Sequence, residues 1–310
     1  MTNANNVPKR IPVIVETDIG SDMDDMWALV MLLRSPELDP RLIVSGTGDT
    51  FTRAKLISKT LEIAGRTDIE VGVGIPLENI KLPQAPWVED YKLDEYPGKV
   101  HIDGVGAIID MIMNSTEEYT LLCLGPLPNI AAALTREPEI ANRVRFVGMF
   151  GSIYKGYMGA PDPISTFNIG RYSYSARHVF NAPWDMTVTP TDTCSVVRLA
   201  GEKYQKVRDC KDPLVQALIE NYRIWKQSDE LNDFYKNLDP DVESSILFDT
   251  VAVYLAFSDE LLKMEKLGLR VTPDGFTRVD ESAKLVNCAL EWRDLEAFED
   301  FLVDRLTQGN

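Results

Sequence analysis

Five carboxylic acids lie close together near the start of the chain. They are Glu16, Asp18, Asp22, Asp24 and Asp25. Carboxylates this close repel one another unless a cation neutralises them or some of them bind protons. Oxygen ligands of this kind suit calcium or magnesium. Capping of the helix that follows explains only part of the cluster, so we predict a cation site here.

The acids follow a short apolar run, and such runs alternate with segments of helical spacing through the first two thirds of the chain. The predicted strands are 11–15, 42–45, 69–73, 119–124 and 145–149, and the predicted helices are 24–34, 51–64, 104–113 and 127–134. This alternation predicts an α/β fold with a mostly parallel central sheet covered by helices on both faces. Ligands of such sheets bind beyond the carboxyl ends of the strands, which is where the acids lie.

We predict a single domain over residues 1–310, with a polar N-terminal tail over 1–10. Residues 75–103 are rich in proline and are predicted to form a lid loop. The chain from 200 to 257 is predicted to be mostly helical. A strand over 285–290 and an amphipathic helix over 295–306 close the domain.

Composition restricts the partners that the protein can bind. The 310 residues include 48 acidic and 32 basic side chains, and the net charge is −16. This balance argues against nucleic acids and anionic membranes, because both require a basic protein surface. The polar start and the shortness of every apolar run predict a cytoplasmic protein. Cys123, Cys194, Cys210 and Cys288 form no CxxC pair, which favours free thiols over disulfides or a zinc site.

The segment ETDIGSDMDD, residues 16–25, resembles the N-terminal signature of inosine-uridine-type nucleoside hydrolases. Further partial matches to this family follow in order: SGTGDT (45–50), HIDG (101–104), LGPLPNIA (124–131), MFG (149–151), FNI (167–169) and SILFDTVA (245–252). On this resemblance the chain is identified as a divergent member of the family. The resemblance implies the nucleoside hydrolase fold, calcium-dependent hydrolysis of the N-glycosidic bond of a ribonucleoside, and a homodimer or homotetramer.

The resemblance also implies roles for the acids. Asp18, Asp25 and Asp249 correspond to side-chain ligands of calcium, and the backbone carbonyl of Leu124 corresponds to a further ligand. Asp18 corresponds in addition to the catalytic base that takes a proton from the attacking water. Asp249 could instead be a helix N-cap or an acid of the first helical turn.

Substrate contacts are implied in the same way. Asp24 and Asn168 correspond to residues that hold ribose hydroxyls, and Asp49 to a support for the metal ligands. Asn168 could instead satisfy backbone groups in a turn. His101 is interpreted either as a substrate contact or as lid surface.

The base side is less clearly defined by the sequence. Aromatic residues in a helical, partly polar stretch could stack on the base: Tyr222, Trp225, Phe234 and Tyr235. The alternative is that Tyr222 and Trp225, three residues apart, form a stripe that faces the core.

Three departures from the family pattern favour an altered substrate. Thr166 stands where a Glu precedes Asn168, the acid usual shortly after that motif is absent, with Tyr172 and Tyr174 in that stretch, and Phe248 stands where relatives that act on purines often present His. Glu16 also replaces the first Asp of the signature. We therefore predict a modified or non-standard nucleoside as substrate and low activity on inosine. The alternative function is a non-catalytic nucleoside- or ribose-binding protein that retains the metal site.

Overall fold

The computed structural model describes residues 9–78, 80–229, 231 and 235–308. Its strands are β1 (Ile11–Thr17), β2 (Leu38–Ser45), β3 (Glu70–Val73), β4 (Val100–His101), β5 (Tyr119–Cys123), β6 (Val144–Met149), β7 (Met186–Thr189), β8 (Leu262–Val271), β9 (Thr277–Val279) and β10 (Leu285–Trp292). Its α-helices are α1 (Asp24–Leu33), α2 (Thr50–Ile63), α3 (Gly104–Met113), α4 (Pro128–Arg136), α5 (Phe167–Gly170), α6 (Ser173–Asn181), α7 (Thr191–Cys194), α8 (Gly201–Arg208), α9 (Pro213–Lys226), α10 (Phe248–Leu255) and α11 (Leu295–Thr307). Residues 1–8 of the predicted tail and Phe234 lie outside the described residues.

The described strands form one sheet in the order β4-β3-β2-β1-β5-β6-β7-β10-β8-β9. Pairing is parallel from β4 through to β10, whereas β8 and β9 are antiparallel at one edge. β1 lies between β2 and β5, and its residues Val13, Ile14 and Val15 are fully buried. A strand covered on both faces must be apolar throughout, which is the pattern that the sequence shows. The predicted fold class is confirmed.

Two apolar cores cover the two faces of the sheet. One contains Trp27 on α1 together with residues of α9, α10 and α11, and all ten residues of α1 are buried. The other contains Phe146 and Trp184, whose rings stack with centroids 5.2 Å apart, together with residues of α3, α4 and α6. Because α1 lies inside the protein, the acids at its first turn are buried as well.

The predicted strands and helices of the first 150 residues are confirmed to within a few residues. β4, β7, β8 and β9 were not predicted from the sequence. β4 and β7 are too short to show a period, and the first half of β8 has exposed charged residues on both faces, Lys263, Glu265 and Lys266, so that it lacks the alternation typical of a strand. The helical prediction for 200–257 is confirmed for α8, α9 and α10 only.

The predicted lid segment, 75–103, is fastened to the rest of the domain at its centre. Trp87 is buried, its Nε1 donates to Glu220 Oε2 at 3.1 Å, and Lys59 Nζ donates to its carbonyl at 2.6 Å. The hydroxyl of Tyr96 donates to the carbonyl of Ile69 at 2.8 Å. These contacts hold the centre of the segment against α2 and α9, and its closure as a lid stays a prediction.

None of the helices in the described ranges is both long enough and apolar enough to cross a membrane. All four cysteines are free thiols, as the sequence predicts, and Cys123, Cys194 and Cys288 are buried.

Candidate active site

A cavity of about 450 Å³ opens beyond the carboxyl ends of β1, β5 and β6. Five acids line it: Asp18, Asp22, Asp24, Asp25 and Asp249. The other lining residues are Ser21, Lys81, Pro83, Leu124, Met149, Tyr157, Thr166, Phe167, Asn168, Trp225, Leu231, Tyr235 and Phe248. Acids therefore meet aromatic and aliphatic side chains in one space, at the position where a parallel sheet binds its ligands.

We call Asp18, Asp24, Asp25 and Asp249 the acidic floor of this cavity. Asp24 and Asp25 lie in the first turn of α1, and Asp249 lies in the first turn of α10. Each of these three can offer an oxygen within 4.8 Å of the other two. Two helix N-termini, which favour negative charge, thus present three carboxylates to the same point.

The acidic floor fits a hard cation. Oδ1 of Asp249 is buried without a hydrogen-bond partner, although buried carboxylate oxygens normally have one. Burial raises the pKa of Asp24, Asp25 and Asp249, and repulsion from neighbouring aspartates raises each pKa further. A divalent ion on these oxygens would relieve both costs.

Asp18 directly follows β1 and is not part of this group of three. Its Oδ1 lies against Gly125, because a Cβ at Gly125 would be only 2.7 Å from it. Gly125 in turn follows Leu124, whose carbonyl was the predicted backbone ligand. Burial raises the pKa of Asp18, while the nearby charge of Arg53 opposes that rise.

Arg53 is a fully buried cation beneath the acidic floor that the sequence analysis did not find. Its guanidinium donates to the carbonyls of Asp18, Ile19 and Thr47 and to the hydroxyl of Ser21. The bonds to Ile19, Thr47 and Ser21 are each 2.8 Å long. Arg53 therefore fixes the turn that carries Asp18, and its charge opposes the rise in the pKa of Asp25 as well.

Glu16 lies below the cavity and does not line it. It is fully buried, and its Oε1 accepts a hydrogen bond of 3.1 Å from Asn129 Nδ2. Burial and the neighbouring charge of Asp18 raise the pKa of Glu16 well above its usual range. A Cβ at Gly46 would lie 2.0 Å from Oε1, so the glycine of the second-strand motif makes room for this longer acid.

Asn168 connects the ends of two strands. Its Nδ2 donates to the carbonyl of Leu124 at 2.6 Å and to the carbonyl of Met149 at 3.1 Å. The predicted ribose contact therefore also orients the predicted backbone ligand. Beside it, the Oγ1 of Thr166 is buried without a hydrogen-bond partner.

We call the aromatic residues that line the cavity its aromatic wall: Tyr157, Phe167, Trp225, Tyr235 and Phe248. Tyr157 meets Phe248 edge-on at 5.6 Å between centroids, and Trp225 meets Tyr235 edge-on at 5.1 Å. The wall also contacts the turn after β1. Trp225 Nε1 donates to the carbonyl of Ser21 at 2.9 Å, and the hydroxyl of Tyr235 donates to Asp22.

The loop that carries Tyr157 is anchored by one buried acid. Asp192 accepts hydrogen bonds from the backbone N–H groups of Ile153, Tyr154 and Lys155, at 2.9, 2.8 and 3.1 Å. Nothing in the local sequence around Asp192 indicated this role, because the bonds span nearly 40 residues.

Three predicted substrate-site residues do not line the cavity. Asp49 is exposed and caps α2 by accepting from Thr52 N at 3.0 Å. His101 Nε2 lies 2.5 Å from Glu70 Oε2 on the neighbouring strand. Tyr222 is buried in the core, where its hydroxyl donates to the carbonyl of Glu243 at 3.2 Å. Of the helix pair, only Trp225 reaches the cavity.

Comparison with known proteins agrees with this geometry. The sequence profile of the family described as inosine-uridine preferring nucleoside hydrolase matches residues 13–299. Uridine nucleosidase 1 of Arabidopsis thaliana is 25% identical over 94% of this chain and 88% of its own length. The non-specific ribonucleoside hydrolase RihC of Klebsiella pneumoniae is 28% identical over 72% of this chain and 75% of its own length.

Solved structures share the fold. A plant nucleoside hydrolase aligns with a TM-score of 0.81 at 22% identity, over 97% of this chain and 100% of that one. A purine-preferring ribonucleoside hydrolase from Gardnerella vaginalis aligns with a TM-score of 0.74 at 21% identity, over 96% and 98% of the two chains. The predicted resemblance is confirmed, and binding without catalysis is not favoured. The chain belongs to the inosine-uridine preferring nucleoside hydrolase family and is an N-glycosyl hydrolase of the nucleoside hydrolase type.

Proposed function

We propose that the protein hydrolyses a ribonucleoside to free base and ribose with a calcium ion held at the acidic floor. The single observation that carries the proposal is the meeting of Asp24, Asp25 and Asp249 within 4.8 Å, with Asp249 Oδ1 buried and unpaired. Carboxylate and carbonyl oxygens are the ligands that calcium prefers.

Asp25 and Asp249 of this group would hold the ion, together with Asp18, whose charge acts on both of them, and the carbonyl of Leu124. Asp24 and Asn168 would bind ribose hydroxyls. When bound, the ion would supply the Lewis acidity that makes water a better nucleophile near neutral pH. Asn168 supports this assignment, because its 2.6 Å hydrogen bond orients the carbonyl of Leu124.

Asp18 is the proposed general base. It takes the proton from the attacking water while the bond from C1′ to the base breaks. The sugar acquires positive charge in a transition state that resembles an oxocarbenium ion, and the acids of the floor stabilise that charge. Arg53 supports the role of Asp18, because it holds the backbone of Asp18 at a fixed place below the cavity.

The base leaves along the aromatic wall. Phe248 lines the cavity beside Asp249, at the position where the family resemblance implies a histidine in relatives that act on purines. A modified or non-standard base therefore remains our proposal for the substrate. Assembly as a homodimer or homotetramer and a cytoplasmic location also stay predictions.

Base release from a panel of nucleosides, with calcium, magnesium or a chelator present, tests the proposal. We expect release with calcium, loss of release on chelation and recovery when calcium is added back. Thermal unfolding measured in parallel should shift upward with calcium, because the ion binds the folded state preferentially. Equal melting in chelator and calcium, with no metal found by elemental analysis, would contradict the calcium site.

A further inference from the structure

The cavity carries more negative than positive charge. Five carboxylates line it, and Lys81 is the one cationic side chain among the described lining residues. Arg53 lies beneath the floor and is committed to backbone carbonyls. Even with a divalent ion bound, the acids outnumber the positive charges nearby, so the cavity attracts cations.

The same cavity presents aromatic rings. Tyr157 and Phe248 form one edge-on pair in the aromatic wall, and Trp225 and Tyr235 form another. The face of an aromatic ring is electron-rich and attracts a cation, most strongly when water is excluded. A positively charged aromatic base would therefore be attracted both by the rings and by the acids, whereas a neutral base gains only the stacking.

No histidine lines the cavity among the residues that the structure describes. His101 on β4 is hydrogen-bonded to Glu70 on β3, and His178 is exposed on α6. The two tyrosine hydroxyls that line the cavity are poor acids, because burial raises the pKa of Tyr157 to about 12 and raises that of Tyr235 well above its usual range. A neutral purine leaves as an anion unless it is protonated, and neither histidine of the chain lines the cavity to supply that proton.

We propose that the enzyme is selective for nucleosides whose base carries a permanent positive charge, namely N-ribosylpyridinium and N7-alkylated purine nucleosides. The inference rests on the proposed function and adds the substrate class to it. In the reaction the C1′–N bond breaks and its electron pair passes to the ring nitrogen, which becomes neutral. The oxygen of water bonds to C1′, and one proton passes through Asp18 to solvent. The products are ribose, a neutral base and a proton.

The first test compares matched substrates on the calcium-loaded enzyme: inosine with 7-methylinosine, and uridine with nicotinamide riboside. After subtraction of the spontaneous rates, kcat/KM for 7-methylinosine should exceed that for inosine by at least ~10²-fold, the scale of a missing general acid. A ratio near one would overturn the inference. If inosine and uridine are then hydrolysed with calcium and not with a chelator, the proposed function would be supported although the inference about charged bases is wrong.

The second test separates recognition of charge from lability of the leaving group. The cation 1-methylnicotinamide should inhibit at least ~5-fold more tightly than neutral nicotinamide, as expected for cation–π contact. Faster cleavage of 7-methylinosine with equal inhibition by the two pyridines would reflect lability alone and would overturn selection by the cavity.

A substitution in the aromatic wall tests whether the rings recognise the positive charge of the base. Phe248→Leu should weaken inhibition by 1-methylnicotinamide several-fold and inhibition by nicotinamide much less. Phe51→Leu is the matched control, because Phe51 is 52% exposed on α2 and does not line the cavity. Equal weakening of both inhibitors in Phe248→Leu would show a loss of packing only and would contradict the proposal.

Discussion

The acidic floor and the aromatic wall of the cavity are assembled from different kinds of structure. Asp18 follows a central strand, and Asp24, Asp25 and Asp249 lie in the first turns of two buried helices. Most of the wall comes from a loop anchored by a distant acid, from the short helix α5, from the last turn of α9 and from residues beyond it, whereas Phe248 shares the first turn of α10 with Asp249. The sheet and its crossover helices therefore fix the position of the floor. Most residues of the wall can be substituted without altering the fold.

This difference divides the expected effects of substitution. Changes at the floor should remove catalysis, because the floor acts on the reacting atoms. Changes at the wall should alter which base is preferred, because the wall meets only the leaving group. The predictions that follow test this division from the largest expected effect to the smallest.

Asp18→Asn should lower kcat by at least ~10²-fold, the scale of the loss of a general base. The protein should still fold, since Asp18 lies at the rim of the sheet. Base release and thermal unfolding measure the two effects. Asp103→Asn is the control, because Asp103 is an exposed helix cap far along the chain and Asn caps equally well. Near-normal turnover in Asp18→Asn would show that another group activates the water.

Arg53→Met should lower kcat about tenfold and reduce the free energy of unfolding by about 3 kcal/mol, the scale of a broken buried ionic network. Arg53→Lys restores the charge and not the fork of donors, so it should recover part of the stability and little of kcat. Arg41→Met, at an exposed ion pair on β2, is the control. Lower stability with unchanged kcat and calcium affinity would show that Arg53 has a structural role only.

The calcium-free protein should lose stability as the pH rises from about 4 to 6 and beyond. Burial raises the pKa of Asp22 to about 6 and raises those of Asp24, Asp25 and Asp249. The folded state then binds more protons than the unfolded state, whose aspartates have pKa values of about 4. The free energy of unfolding is therefore greatest below about pH 4 and falls as the pH rises through the pKa values of the folded state. Each acid contributes about 1 kcal/mol per pH unit in its window.

Denaturant unfolding at several pH values in chelator measures this slope, and the same series in calcium is the control. Calcium should flatten the slope, since it compensates the charges of the ionised acids. Equal slopes with and without calcium would show that the floor does not hold the ion.

Tyr157→Leu should raise KM about threefold and leave kcat within about twofold, because the edge-on pair with Phe248 contributes about 1 kcal/mol. Tyr174→Leu is the matched control, since Tyr174 is 83% exposed and away from the cavity. A large fall in kcat with unchanged KM would place Tyr157 at the reacting bond and break the division between floor and wall.

The sequence predicted the floor far better than the wall, for a physical reason. A strand buried on both faces is apolar throughout, so β1 and the acids at its end stand out in the sequence. Arg53 escaped notice because a single arginine in an amphipathic helix ordinarily lies on its exposed face. Asp192 escaped because its three hydrogen bonds reach residues far away in the sequence.

Helical spacing alone also failed to separate Tyr222 from Trp225. The two rings pack against each other with centroids 5.8 Å apart. Tyr222 continues into the core against Trp27, whereas Trp225 also reaches the cavity. Which of two neighbouring aromatic residues borders a cavity depends on what the facing elements leave empty, and a sequence pattern does not record that.

The turn after β1 receives hydrogen bonds from Arg53 beneath the floor and from two residues of the wall. Arg53 holds it from below, while Trp225 and Tyr235 of the wall bond to Ser21 and Asp22 from above. A base that packs against those rings therefore contacts residues that are hydrogen-bonded to the same turn that carries Asp18. The binding free energy of the base can therefore stabilise the transition state as well as the enzyme–substrate complex. A ribose derivative with a small leaving group should for this reason react slowly even at saturation.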